Sequence, residues 1–290
     1  MSIRESAGRS ASVGLVLRRT PRTLGIDPFY SEIIAGMEGV LGERGYSVLL
    51  QVVPDLDAEL ATYERWAGLG TVAGVLLGDL VDSDVRADRL RSLGLAAVVL
   101  GEPASSEPVT AVRVDNYGAM LDAVRSLTGL GHRRIGRVSG PLRLMHSKSR
   151  SRAFDTAVRE AAAEGTTVEG DYTEASGAEG TRALVTGPSA PTAIIYDNDM
   201  MAVGGLAVAQ ELGIAVPDAL SLLAWDDSTF CRLAAPPLSA MSHDVHELGE
   251  LAGAALLALL EGRVAPSREA PLPHFIPRGT TAPPAGRTQD

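Results

Sequence analysis

Residues 192–226, TAIIYDNDMMAVGGLAVAQELGIAVPDALSLLAWD, decide the fold of this chain. The segment begins with a short apolar run, residues 192–196, that is typical of a buried strand. Asn198 is a favourable N-cap for the helical stretch that follows, and Gly213 ends that stretch. A second apolar run then ends at Trp225. The order strand, helix, strand predicts a βαβ unit of a parallel sheet.

The same alternation extends along the rest of the chain. Further strands are predicted at residues 12–17, 46–53, 72–77, 96–100, 135–139 and 273–276. Further helices are predicted at residues 28–45, 57–69, 85–93, 116–129, 147–164 and 245–260. At about 150 residues per domain, a chain of 290 residues has room for two domains. We therefore predict an α/β protein of two lobes, each a parallel sheet flanked by helices.

The composition disfavours several classes of function. A formal net charge of -10 argues against general binding of nucleic acid by this chain. Lys148 is the only lysine, which disfavours phosphate-loop and Schiff-base chemistry, and the single cysteine, Cys231, excludes an intrachain disulfide. The N-terminus lacks the apolar stretch of a secretory signal, and the longest apolar run, residues 251–260, is about half a membrane span. We expect a cytoplasmic protein that contacts no membrane and uses no cofactor.

Polar and aromatic side chains follow the ends of the predicted strands. Open parallel sheets bind ligands outside the carboxyl ends of their strands, so these side chains are the candidate site. Carboxylates and amides beside aromatic faces suit hydroxyl-rich rings, which favours a sugar or a nucleoside as ligand. The residues concerned include Asp27, Phe29, Tyr30, Glu102, Asn198 and Asp226.

Several motifs, in order and spacing, resemble the effector-binding core of the LacI/GalR family of bacterial repressors. The motifs are VGLVL (13–17), DPFYSEIIAGMEGVLGERGY (27–46), GVLLG (74–78), VRVDNYGA (112–119), GHRRIGRVSGP (131–141), AIIYDNDMMAVGGL (193–206), ELGIAVPDALSLLAWDDS (211–228), PPLSAM (236–241), ELGELAGAALLALLEG (247–262) and RGTTAPP (278–284). This resemblance implies a periplasmic-binding-protein-like fold, with two lobes joined by three crossovers and a small-molecule effector in the cleft. It also implies a homodimer.

The resemblance further implies how the chain is divided. The N-terminal subdomain is expected to comprise residues 12–114 and 243–270, and the C-terminal subdomain residues 115–242 and 271–282. Residues 1–11 resemble a hinge remnant or tail, and residues 283–290 form a tail. Nothing in residues 1–11 matches the family's DNA-binding headpiece, so operator DNA is expected to bind only through a headpiece missing from this chain.

Carried over position by position, the resemblance implies a set of effector contacts. Two positions depart from the family pattern. After the fourth strand the family often has an aspartate, where this chain has Gly101 followed by Glu102. His243 stands where a glutamine is frequent. Glu102 is expected to replace the lost carboxylate, and His243 to donate or accept a hydrogen bond. The full predicted ligand-binding set is Asp27, Phe29, Tyr30, Glu102, Arg150, Tyr172, Asn198, Asp226 and His243.

Structural roles compete with ligand binding at most of these positions. Asn198 can simply cap a helix, Phe29 and Tyr30 can pack in a core, and Arg150 can lie on a solvated helix start. Asp226 with Asp227 forms a carboxylate pair, but we predict no catalytic residue. His243 and His246 lack a third ligand nearby in sequence, so we predict no metal site.

These observations predict the effector-binding and dimerisation core of a transcriptional regulator, which takes a sugar-like or nucleoside-like ligand. The alternative is a transport-type solute-binding protein of the same fold, which a signal peptide would distinguish. An enzyme on this fold is a third alternative, although the chain lacks both the dinucleotide-binding and the serine hydrolase motifs.

Overall fold

The structure is a computed structural model that describes residues 12–19, 27–103 and 108–285. These residues form two compact units. Unit 1 contains the described residues up to Val114 together with Val245–Ala270, and unit 2 contains Asp115–Asp244 together with the described residues from Pro271 onward. The chain therefore passes from one unit to the other three times. Within the described ranges, no helix is long and apolar enough to cross a bilayer.

Unit 1 is a six-stranded sheet with helices packed on it. Its strands and helices are β1 (Ser12–Arg18), α1 (Pro28–Gly42), β2 (Ser47–Val53), α2 (Leu56–Leu69), β3 (Gly74–Leu77), α3 (Arg86–Ser92), β4 (Ala96–Leu100), β5 (Thr110–Arg113), α9 (Val245–Leu260) and β11 (Arg268–Glu269). The strand order is β11-β5-β4-β3-β1-β2, and all neighbouring pairs are parallel.

The two longest helices of unit 1, α1 and α9, pack in direct backbone contact. Asp27 caps α1 and Pro28 occupies its first position, which suits proline because its missing N–H would be unpaired there. A methyl group on Gly36 would lie 2.1 Å from the carbonyl oxygen of His246, and one on Gly249 would lie 2.3 Å from that of Ile33. Only glycine allows this approach, so α9 completes the core of unit 1 although it follows unit 2 in sequence.

Unit 2 repeats the architecture with a second six-stranded sheet. Its elements are α4 (Asn116–Leu130), β6 (Arg134–Ser139), α5 (Met145–Glu160), β7 (Glu164–Glu169), α6 (Glu174–Val185), β8 (Ala193–Tyr196), α7 (Asp199–Glu211), β9 (Ser221–Trp225), α8 (Thr229–Leu233), β10 (Ser239–Ser242) and β12 (His274–Ile276). The strand order is β12-β10-β9-β8-β6-β7, and only the pair of β10 with β12 is antiparallel among the described strands.

The predicted fold class, two parallel-dominated α/β lobes, is confirmed. Several boundaries differ from the prediction by a few residues, and two of these differences matter for the site. The helix predicted to reach residue 164 ends at Glu160, because Ala162 takes a positive φ of 48° and Glu164 begins β7. Unit 1 resumes only at Val245, so His243 lies in unit 2, next to β10, rather than in the first lobe.

Each sheet has a point where the strand order reverses. In unit 1 the chain runs from β1 outward to β2 and then returns to place β3 on the other side of β1. In unit 2 the same reversal separates β6 from β8. The carboxyl ends of the strands on either side of such a switch point are where open α/β sheets bind ligands. The structure therefore places one candidate site in each unit.

Candidate functional site

Arg150 lies on α5 at the carboxyl-end edge of the unit 2 sheet and is held on three sides. Its Nε donates to Oδ1 of Asn116 and its Nη1 to the carbonyl oxygen of Asp197, each at 2.8 Å. Its guanidinium lies over the Trp225 ring, 4.2 Å from the centroid. Nη2 makes no hydrogen bond to the part of the chain that the structure describes, although Arg150 is only 6% exposed. Nη2 is not among the fully buried side-chain atoms without a partner, so it reaches solvent and is open to a ligand oxygen.

A buried ion pair holds the switch point of unit 2. Arg137 on β6 donates from Nε and Nη2 to the two carboxylate oxygens of Asp197, at 2.8 and 2.6 Å. The backbone N–H of Gly140 donates to the same carboxylate at 3.0 Å. Burial alone would raise the pKa of Asp197, but the guanidiniums of Arg137 and Arg150 outweigh it and hold this pKa below its ordinary value. The loop after β8 is thereby fixed, and Asn198 with it.

Tyr172 and Asn198 hold each other in place. Asn198 caps α7 by accepting a hydrogen bond from the backbone N–H of Met201, and its Nδ2 donates to the carbonyl oxygen of Tyr172 at 3.0 Å. The Tyr172 hydroxyl pairs with Nε2 of His146 at 2.6 Å and with Oγ of Ser147 at 3.0 Å. Tyr172 also has a φ of 71°, a strained conformation for a non-glycine residue. Such strain, held by several contacts, is common at functional sites.

Asp226 and Asp227 follow β9 but have different partners. Oδ1 of Asp226 lies 3.0 Å from Nε2 of the buried His243. Both carboxylate oxygens of Asp227 accept from Arg278, at 2.7 and 2.8 Å, which gives Asp227 a structural role. Both aspartates take positive φ, 76° and 59°. The contacts therefore separate the two aspartates, and the ligand-binding role of Asp226 stays a prediction.

In unit 1, the predicted residues Asp27, Phe29 and Tyr30 lie at the start of α1. Asp27 accepts from the backbone N–H of Phe29 at 3.1 Å as the helix cap. Phe29 is half-buried and meets the Tyr30 ring edge to face, with centroids 5.2 Å apart. Tyr30 is buried and donates its hydroxyl proton to Oδ1 of Asp79 at 2.9 Å. Packing thus accounts for the two rings, and Asp79 is a partner that the sequence analysis does not identify.

Glu102 follows β4, one strand away from the switch point of unit 1. Its side chain is 67% exposed, and its Oε2 lies 3.1 Å from Nε of Arg113. An ion pair this exposed contributes little to stability. Water also competes with a ligand for the hydrogen bonds of its carboxylate. Glu102 therefore lies apart from the aromatic cluster with which the sequence analysis groups it.

The structure brings Arg150, Tyr172 and Asn198 together through shared contacts in unit 2, with the pair Asp226 and His243 on a neighbouring part of the same sheet edge. It adds Arg137 and Asn116, which the sequence analysis does not select. An arginine inside an apolar strand, as in the IGRVS segment, is the signal that would have identified Arg137, because a buried guanidinium requires a carboxylate.

His246 and Cys231 are the remaining side chains whose surroundings bear on metal or thiol chemistry. No cluster of three or more histidine, cysteine or carboxylate side chains is found in the described ranges. His246 is half-exposed and lies 3.6 Å from Glu32 and 3.8 Å from Glu250. Burial raises the pKa of the Cys231 thiol, so this cysteine is a poor nucleophile.

Comparison with known proteins identifies the family. The sequence-family model for the periplasmic binding protein-like domain matches residues 124–281 of this chain. The HTH-type transcriptional repressor CytR of Escherichia coli (strain K12) is 30% identical over 244 residues, which are 82% of this chain and 70% of the relative.

Two solved structures resemble the whole chain. A LacI family transcriptional regulator from Bifidobacterium animalis subsp. lactis aligns with a TM-score of 0.86 at 34% identity. The alignment covers 96% of this chain and 100% of the regulator's chain. The complex of the transcriptional regulator CelR with cellobiose aligns with a TM-score of 0.85 at 28% identity. This alignment covers 94% of this chain and 85% of the CelR chain. These relatives are transcriptional regulators rather than enzymes or transport proteins. The chain belongs to the LacI family of transcriptional regulators, and its two units form the effector-binding core of such a regulator.

Proposed function

We propose that unit 2 binds a small hydroxyl-rich effector, a sugar or a nucleoside, at the carboxyl ends of β6, β8 and β9. The single observation that carries this proposal is Arg150, whose guanidinium is buried and pinned while Nη2 keeps a hydrogen-bond donor unused. Because its contacts already hold this side chain in one conformation, little side-chain entropy is lost when Nη2 donates to a ligand oxygen.

The surrounding groups support a ring-shaped, polyhydroxylated ligand. Asp226 accepts hydrogen bonds, and its partner His243 donates or accepts according to its tautomer. The ring of Tyr172 supplies an aromatic surface, which suits the C–H face of a sugar or the base of a nucleoside. The relative CelR is known in complex with cellobiose, a sugar. No described group in this cluster is arranged for nucleophilic catalysis, so we propose binding without turnover.

We further propose that effector binding changes the DNA affinity of the complete regulator in the cytoplasm, with operator contacts made by a headpiece outside these two units. A ligand shifts a conformational equilibrium only by its difference in affinity for the two states. The core is proposed to act as a homodimer. Its support is the pair of exposed apolar side chains on α8, Phe230 at 49% and Leu233 at 76% exposure.

Arg150 gives the sharpest test of effector binding. A thermal-shift panel of sugars, polyols and nucleosides selects a ligand, and calorimetry then measures its affinity for the chain and for Arg150→Gln. Loss of a hydrogen bond to a charged donor is expected to weaken binding about ten- to a hundredfold.

Arg159→Gln is the matched control, because Arg159 is an exposed arginine on the same helix whose hydrogen bond is to the neighbouring Thr156. The affinity of Arg159→Gln for the ligand is expected to equal that of the unaltered chain. Equal affinity in Arg150→Gln, or no binding of any panel member at millimolar concentration, contradicts the proposed function.

A further inference from the structure

Arg137 is a second buried arginine at the switch point of unit 2, and the proposed ligand contacts do not include it. It lies on β6, and its side chain and that of Asp197 are both fully buried. Each nitrogen of its guanidinium donates a hydrogen bond, to the Asp197 carboxylate, to Oγ of Ser151 or to the carbonyl oxygen of Ser147. Because Arg137 is closed to solvent, it does not contact a ligand and can affect binding only through its neighbours.

The carboxylate of Asp197 interacts with two guanidinium groups. Arg137 donates to both of its oxygens, at 2.8 and 2.6 Å, and the backbone N–H of Gly140 donates to one of them at 3.0 Å. Arg150 instead donates to the backbone carbonyl oxygen of Asp197, at 2.8 Å. Burial acts to raise the pKa of Asp197, and the charges of Arg137 and Arg150 both lower it. The carboxylate is thus within electrostatic reach of Arg150, although its hydrogen bonds go to Arg137 and Gly140.

A buried carboxylate attracts any guanidinium near it, because little water screens the two charges. Arg137 satisfies Asp197 through a bidentate pair, which is a strong and directional arrangement for these two groups. Nη2 of Arg150 makes no hydrogen bond to described residues. If Arg137 were absent, the uncompensated carboxylate would be a stronger acceptor for Arg150 than any neutral hydroxyl of a ligand.

We propose that Arg137 is a positioning residue for effector binding, which engages the Asp197 carboxylate and thereby keeps the guanidinium of Arg150 available to the ligand. Arg137 also donates to Ser147 and Ser151 and is therefore tied to α5, the helix that carries Arg150. This inference rests on the proposed function, because it concerns the affinity of the same site for its ligand.

The inference predicts different effects for the two members of the buried pair. Arg137→Gln leaves the carboxylate without its partner, so Asp197 binds Arg150 and effector affinity falls. Asp197→Asn removes the competing charge, while its backbone carbonyl still accepts from Arg150. If the pair were only structural, the two changes would damage the site alike, because each leaves one buried charge uncompensated.

The test compares these variants with a matched control. Calorimetry measures the Kd of cellobiose, ribose and uridine for the unaltered chain and for Arg137→Gln, Asp197→Asn, the double variant with both changes, Arg150→Gln and Arg134→Gln. Arg134→Gln is the control, because Arg134 is an exposed arginine of the same strand that donates to the carbonyl oxygen of Ala190. Circular dichroism melting checks the fold of each variant.

Two further variants keep the test decisive if a single change prevents folding. The double variant leaves no buried charge uncompensated. Arg137→Lys keeps the charge, but an ammonium group cannot bond both carboxylate oxygens and α5 at once, so we expect it to weaken binding by about threefold or more. A smaller loss in Arg137→Lys overturns the inference.

Arg137→Gln is expected to weaken binding of the probe about ten- to a hundredfold, as Arg150→Gln does. Asp197→Asn and the double variant are expected to bind at least about fivefold more tightly than Arg137→Gln, and Arg134→Gln to bind as the unaltered chain does. Equal losses in Arg137→Gln and Asp197→Asn, a double variant as weak as Arg137→Gln, or no loss in Arg137→Gln overturn the inference.

The result for Arg150→Gln separates the inference from the proposed function. If Arg150→Gln weakens binding but Arg137→Gln does not, the inference is wrong and the proposed function stands. If no probe binds, or Arg150→Gln binds normally, the proposed function fails and the inference fails with it.

Discussion

At the scale of single residues, the candidate site of unit 2 is held by contacts between residues that are far apart in sequence. Asn198 is predictable as a candidate because it stands between a strand and a helix, whereas Arg150 and Tyr172 are identified only through the family resemblance. Arg137 and Asp197 are 60 positions apart in sequence, so no local pattern predicts that they pair. The competing structural role predicted for Asn198, helix capping, is observed in full. Its ligand role remains a proposal.

The buried Asp197 carboxylate is expected to make stability depend on acid pH. Its pKa in the folded chain lies below its ordinary value of 3.8, because burial, which acts to raise it, is outweighed by Arg137 and Arg150. The stabilisation is therefore complete above the ordinary value and is lost as pH falls through the folded pKa. Asp197→Asn leaves Arg137 buried without a counterion and is expected to cost about 3–5 kcal/mol at pH 7.

Denaturant unfolding of both proteins between pH 3 and 7 measures this dependence. The difference in the free energy of unfolding is expected to shrink below about pH 4. Asp122→Asn, which alters an exposed pair with Arg125, is the control and is expected to change stability by less than about 1 kcal/mol. A constant difference at every pH would show that the Asp197 charge is not the cause.

At the scale of helices and strands, β7 and α6 are two elements that the sequence analysis misses because they contain few large apolar side chains. β7 is an edge strand whose residues are mostly exposed, so it has no apolar run to reveal it. α6 contains several small residues, and its two glycines pack against neighbouring elements, so few large apolar side chains mark it as a helix. Buried strands such as β8 and β9 are predictable because both of their faces are covered and nearly every residue is apolar.

The glycine contact between α1 and α9 is expected to be essential to unit 1. Gly249→Ala places a methyl group against the backbone of α1, which cannot move aside as a flexible side chain does. We expect a loss of about 1–3 kcal/mol in the free energy of unfolding, or more, measured by urea denaturation.

Gly39→Ala is the matched control within α1, because a methyl group there meets nothing within 4 Å. It is expected to stabilise the helix by up to about 1 kcal/mol through backbone propensity alone. If the two variants change stability equally, close packing is not the reason for glycine at position 249.

At the scale of the whole molecule, the motifs lead to the correct family and fold class, whereas the oligomeric state stays a prediction. Phe230 and Leu233 are three residues apart on α8, and their exposed apolar surface supports pairing with a second copy. We expect sedimentation at micromolar concentration to show a dimer, and Leu233→Glu to give a monomer with an unchanged circular dichroism spectrum. Val264→Glu, at a 90% exposed position of unit 1, is expected to remain dimeric. A monomeric unaltered chain contradicts this prediction.

The central claim, that Arg150 anchors a hydroxyl-rich effector in unit 2, is tested most directly by a crystal structure of the chain with the tightest ligand from the panel. The account predicts a ligand oxygen within about 3.2 Å of Arg150 Nη2, with the bonds from Nε to Asn116 and from Nη1 to Asp197 intact. A ligand bound away from α5, or an Nη2 turned to a protein partner while the ligand is present, would contradict it.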